Sequence, residues 1–142
     1  MPTRQAEAVW EGDLKSGKGN IKGASGAIAV PYSFGTRFEN APGTNPEELL
    51  AAAHSGCYSM ALAHLLASAG TPPTRVHTTA QVTIEKVGDG FKITRIKLVC
   101  EATVPGIDEG KFHETARAVK DGCPVSAALS AVPIELEAKL VK

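Results

Sequence analysis

Two cysteines stand where thiol chemistry is conceivable: Cys57 within "TNPEELLAAAHSGCYSMALAHLLASAG" and Cys123 within "KDGCPVSAAL". A cysteine in an apolar helix is ordinarily a small hydrophobe, and burial disfavours the thiolate. Cys123 fits that role less well. It sits immediately before Pro124, where a new helix starts, and backbone N–H groups and the dipole at a helix N-terminus favour negative charge. If the fold brings the two Cα atoms within about 7 Å, the pair has a natural chemistry. A thiolate attacks the O–O bond of a peroxide, becomes a sulfenic acid and condenses with the second thiol. An external thiol then resets the disulfide. Spacing alone does not decide whether they meet. The third cysteine, Cys100, is in phase with the apolar face of a strand and reads as structural.

The elements that must position these residues are legible. Asn45 can cap a helix with Pro46 in its first position and Glu48 completing a capping box. That helix runs to about Ala69, where Gly70 and then Pro72 and Pro73 stop it. Leu49, Leu50, Ala53, Met60, Leu62, Leu65 and Leu66 surround its whole circumference, which predicts burial on nearly all sides. A membrane span is the rival reading, and Glu47, Glu48, His54, Ser55, Ser59 and His64 speak against it.

Before this helix, glycine-punctuated apolar runs predict a hairpin with a further strand or loop, followed by the loop "NAPGTN". After it, two strands flank "VGDG", with Ile96, Leu98, Cys100, Ala102 and Val104 on one face; Phe91 and Ile93 are out of phase with Ile96, which allows a bulge near Thr94 and Arg95 without demanding one. Phe112, Ala116 and Val119 then mark an amphipathic helix over 108–121, ended by Gly122. A short helix follows with Cys123 as N-cap, and "PIELEAKLV" closes the chain as a strand. The order is α+β.

The 142 residues suit a single domain, 1–142. Fifteen basic and fifteen acidic residues cancel, leaving no overall field to attract nucleic acid or an anionic membrane. The N-terminus "MPTRQAEAVWEGD" lacks the order of a secretory signal, and the odd, scattered cysteines do not frame a secreted scaffold, so a cytoplasmic location is expected.

"TNPEELLAAAHSGCYSMAL" and "GCPVSAAL", together with "WEGDLKSGKG" and "TRFE", resemble the OsmC/Ohr family of thiol-dependent peroxidases, specifically its OsmC branch. The resemblance implies antiparallel sheets packed around a long buried central helix, and an intertwined homodimer. It implies that Cys57 is the peroxidatic cysteine and Cys123 the resolving one, and that an activating Arg and Glu map onto Arg37 and Glu47. The substrates it implies are organic hydroperoxides, with hydrogen peroxide used less well. No metal, haem or flavin is implied. The reductant is an external thiol, and dihydrolipoyl groups on a protein partner are one form the resemblance allows.

Physical reasons support such a pair. A guanidinium keeps its charge at any working pH and can hold a sulfur anion and a peroxide oxygen together. A carboxylate would fix its fork, and with Glu48 occupied in the cap, Glu47 is left for Arg37. Glu47 and Cys57 nevertheless lie about 15 Å apart along one helix. Two helices crossing about a two-fold axis would place Glu47 of one chain near Cys57 of another.

Three other readings compete. His54 and His64 fall on the cysteine's side of the helix, which admits a Cys57–His54 hydrolase pair or, with Cys123 and His113, a zinc site; neither shows the usual orienting residue or ligand spacing. A non-enzymatic module whose helix and sheet enclose a small lipid-like ligand is the third; Leu50, Met60 and Phe38 suit the apolar tail of a peroxide and the core equally well.

Overall fold

The computed structural model describes all 142 residues, which divide into two compact units, Met1–Leu49 and Leu50–Lys142.

The first unit is an antiparallel sheet, β1 (Ala6–Glu11), β2 (Lys18–Gly23) and β3 (Ala29–Tyr32), followed by a short helix α1 (Phe34–Phe38). Gly19 faces the rings of Trp10 and Tyr32, which meet edge to face at 5.3 Å. A Cβ there would lie 2.6 Å from each ring, so only glycine permits this packing. Helix α1 was not foreseen in "TRFE". It is too short for a periodic signal and is held instead by its cap: Ser33 Oγ accepts from Thr36 N–H, and Thr36 Oγ1 accepts from Ser33 N–H.

The long helix α2 spans Pro46–Ser68. Asn45 Oδ1 caps it by accepting from Glu48 N–H at 2.8 Å, while Asn45 Nδ2 donates to Thr36 O at 2.8 Å. The reciprocal half of the expected box is absent: Glu48 Oε1 accepts instead from Thr44 Oγ1. Gly70, with φ of +92°, ends the helix in the left-handed region.

The second unit holds a long hairpin, β4 (Arg75–Val87) and β5 (Gly90–Thr103), then α3 (Glu109–Gly122), α4 (Pro124–Ala128) and β6 (Ile134–Leu140). Thr94 is the extra residue in the hairpin, since Thr83 pairs with Arg95 and Ile84 with Ile93; this is the bulge that the change of phase allows. The two helices carry the chain across, and β6 joins β5 in parallel. Tyr58, Leu62 and Leu66 of α2 pack with Leu98, Cys100, Ala102, Phe112 and Val119 in the core, and Tyr58 Oη donates to Ala116 O at 2.9 Å.

The expected all-round burial of α2 is not met within the second unit. Helix α2 is long and apolar enough to cross a membrane by length and composition, yet His54, Tyr58, Leu62 and Leu66 form a fully buried stripe on it. Residues at i, i+4, i+8 and i+12 cover one side of a helix only. Met60 is 76% exposed and Leu65 43%, so the remaining apolar face has no cover within the second unit.

Candidate active site

The second unit brings Cys57 and Cys123 together. Both are free thiols, and they lie near enough that the Cys123 thiol and the Val125 N–H both act on the Cys57 sulfur. Cys57 is half-buried, whereas Cys123 is 1% exposed. The sharp junction between α3 and α4 makes the meeting possible. Cys123 is both the C-cap of α3 and the N-cap of α4, in extended backbone at φ −66° and ψ 144°. Its N–H donates to Val119 O at 3.1 Å, and its sulfur accepts from Ser126 N–H at 3.4 Å.

A third group stands behind Cys123. Its thiol donates to Ser126 Oγ at 3.1 Å, and Ser126 Oγ lies 2.7 Å from His54 Nε2. His54 lies one turn before Cys57 and is fully buried. Burial holds its imidazole below the ordinary histidine range.

Arg37 and Glu47 also meet, both within the first unit. Arg37 Nε donates to Glu47 Oε1 at 2.9 Å, and Nη2 approaches the same oxygen at 2.8 Å. Glu47 is 6% exposed, and this contact offsets the cost of burying it. The guanidinium also lies 5.2 Å from the centre of the Phe38 ring. Trp10, Tyr32, Phe34, Arg37 and Phe38 line a cleft of about 370 Å³, so the cation borders an apolar space.

Residues 38–137 match the family model for OsmC-like proteins, and both cysteine segments fall within the match. The chain belongs to the OsmC family. It is 50% identical over 129 residues to peroxiredoxin OsmC of Escherichia coli (strain K12), covering 90% of each chain. Over 113 residues it is 29% identical to organic hydroperoxide resistance protein-like 2 of Staphylococcus saprophyticus, covering 78% of this chain and 76% of the other. The fold is that of an OsmC-like protein from Mycoplasma pneumoniae, with a TM-score of 0.74, 20% identity and 99% of each chain covered. An OsmC structure from Legionella pneumophila superposes at a TM-score of 0.73 with 19% identity, covering 100% of this chain and 98% of the other.

In this OsmC chain the other sequence candidates are placed differently. His113 pairs with Glu109 at 3.3 Å along α3, and His64 is exposed on α2. No cluster of His54, Cys57, Cys123 and His113 forms around a common point. Ser126, which bridges Cys123 and His54, is not among the sequence candidates. Its signal was its position three residues after an N-cap cysteine, where a backbone N–H turns back toward the capping side chain.

Burial raises the Cys57 thiol above its ordinary value; the Val125 N–H opposes this and Cys123 reinforces it. Burial likewise raises Cys100, opposed by a hydrogen bond with Thr78. These shifts have a consequence for stability. In the unfolded chain the thiols ionise first, near their ordinary 9.0, so stability is fully present below that pH and is lost as pH rises toward the folded values. The urea midpoint should hold steady from neutral pH to about 9 and fall above it, with a shallower fall in Cys100→Val. A midpoint that climbs above pH 9 contradicts the assigned burial.

Proposed function

We propose that the protein is a thiol-dependent peroxidase that reduces organic hydroperoxides, and hydrogen peroxide less well, to the alcohol and water. The contact between the Cys57 and Cys123 thiols is the observation that carries this reading. The Cys57 thiolate attacks the outer peroxide oxygen, the O–O bond breaks, and the departing alkoxide takes a proton to leave as the alcohol. Cys57 is then a sulfenic acid. The Cys123 sulfur displaces its oxygen as water and forms the Cys57–Cys123 disulfide, which an external dithiol, such as a dihydrolipoyl group on a protein partner, reduces again.

Cys57 needs a cation because burial opposes its ionisation. The Arg37–Glu47 pair of a second copy supplies it in this reading. Two features support the homodimer: the helical distance from Glu47 to Cys57, about 15 Å, and the exposed Met60 and Leu65 on α2. The cleft beside Phe34 and Phe38 suits the apolar tail of an organic hydroperoxide. Residues 1–142 act as one OsmC-like domain, a view supported by a family match that runs across the division at Leu49. The balanced charge fits a cytoplasmic protein without nucleic acid or membrane partners.

The test is consumption of cumene hydroperoxide under catalytic protein, with dihydrolipoamide or dithiothreitol as reductant. Many turnovers per protomer are expected with either dithiol. Absence of consumption with both would overturn the assignment.

A further inference from the structure

Cys123, Ser126 and His54 form a continuous hydrogen-bonded line, each residue 2% exposed or less. The line runs from the Cys123 thiol to Ser126 Oγ at 3.1 Å and on to His54 Nε2 at 2.7 Å. With Ser126 Oγ assigned as acceptor of the thiol proton, its own proton is free to point to Nε2, the assignment in which Nε2 accepts and the ring is neutral. The ring proton is then on Nδ1, which is buried without a partner. A histidine kept only for packing would not leave a buried nitrogen unpaired, since an apolar side chain fills the same space without that cost.

We infer that His54, acting through Ser126, receives the Cys123 thiol proton during disulfide formation, and that this pair governs the resolving step rather than the attack on peroxide. The inference rests on the peroxidase reading above. In the step, Cys123 Sγ bonds to Cys57 Sγ and the S–O bond of the Cys57 sulfenic acid breaks, with the electron pair leaving on hydroxide. The thiol proton passes to Ser126 Oγ as the Ser126 proton passes to Nε2. The imidazolium then gives up its proton, the hydroxide becomes water, and the net products are the disulfide and one water. No further oxidant is needed. Burial favours the neutral ring, so the charged ring is short-lived and the site is reset for the next cycle.

Ser126 touches the reacting sulfur, whereas His54 acts through it as a positioning and proton-accepting residue. A packing role and a proton-accepting role separate in a single-turnover experiment. Reduced protein is mixed with one equivalent of tert-butyl hydroperoxide and sampled with dimedone, and peptide masses give the Cys57 sulfenic acid and the Cys57–Cys123 disulfide over time. Wild type should form the disulfide with little trapped sulfenic acid. In Ser126→Ala and in His54→Gln, Cys57 oxidation should stay within about twofold of wild type, while disulfide formation slows about 10- to 100-fold and trapped sulfenic acid accumulates.

His54→Gln keeps an acceptor for the Ser126 hydroxyl but cannot take its proton. A wild-type rate of disulfide formation in that variant overturns the inference, as does loss of the first phase in Ser126→Ala, a change that removes one oxygen. Failure of the wild-type protein to oxidise Cys57 at all would instead overturn the peroxidase reading.

Discussion

Cys57→Ser is expected to lower hydroperoxide consumption by at least about 10³-fold while the protein remains folded. Serine preserves the shape of the side chain and its place on α2, but its hydroxyl ionises far too weakly to attack an O–O bond. Cys57 is half-buried and lies beside, not within, the fully buried stripe of His54, Tyr58, Leu62 and Leu66. The thermal midpoint should therefore move little. Cys100→Ser supplies the contrast: it puts a hydroxyl among Leu98, Ala102 and Phe112, so it should lower stability and spare turnover per folded molecule. Comparable activity in Cys57→Ser and wild type would contradict the role of Cys57 as the attacking thiol.

Arg37→Ala should lower kcat/KM by about 10²-fold or more, the scale of a lost charged donor at a reacting anion. It should also cost about 1–3 kcal/mol of stability, because Glu47 is left buried without its partner. Arg37→Lys keeps the charge but loses the fork that meets Glu47 through both Nε and Nη2, so it should recover only part of the activity. Mixing Arg37→Ala with Cys57→Ser tests where the cation comes from. If the site is shared between two copies, unfolding and refolding the mixture produces hybrid dimers with one intact site, and about a quarter of wild-type activity returns. No recovery would mean that each chain supplies its own arginine.

The sequence-derived features with the strongest local chemistry are those the structure reproduces most closely. Asn45, Pro46 and Gly70 bracket α2 within a residue of expectation. The alternation from Ile96 to Val104 marks the buried face of β5, and the lost phase near Thr94 marks its bulge. The Cys123–Pro124 junction appears as the capped start of α4. Features that depend on distant partners were out of reach. The approach of the Cys57 and Cys123 thiols, and the seating of His54 on Ser126, arise from how α2 packs on the α3–α4 corner, which no local pattern encodes. Helix α1 was missed because five residues are too few for periodicity. The circumference of α2 misled in an instructive way. Its all-round apolarity predicts burial on nearly all sides, whereas the second unit buries one side only.

The central claim is that Cys57 and Cys123 form a redox-active pair, and the most direct measurement is mass. Reduced protein would receive one equivalent of an alkyl hydroperoxide, with the intact mass and the cysteine peptides read before and after. Loss of two hydrogens is expected, with a bridge between the Cys57 and Cys123 peptides, an unmodified Cys100, and full reversal by a dithiol. Unchanged thiols, or a bridge that includes Cys100, would contradict the claim.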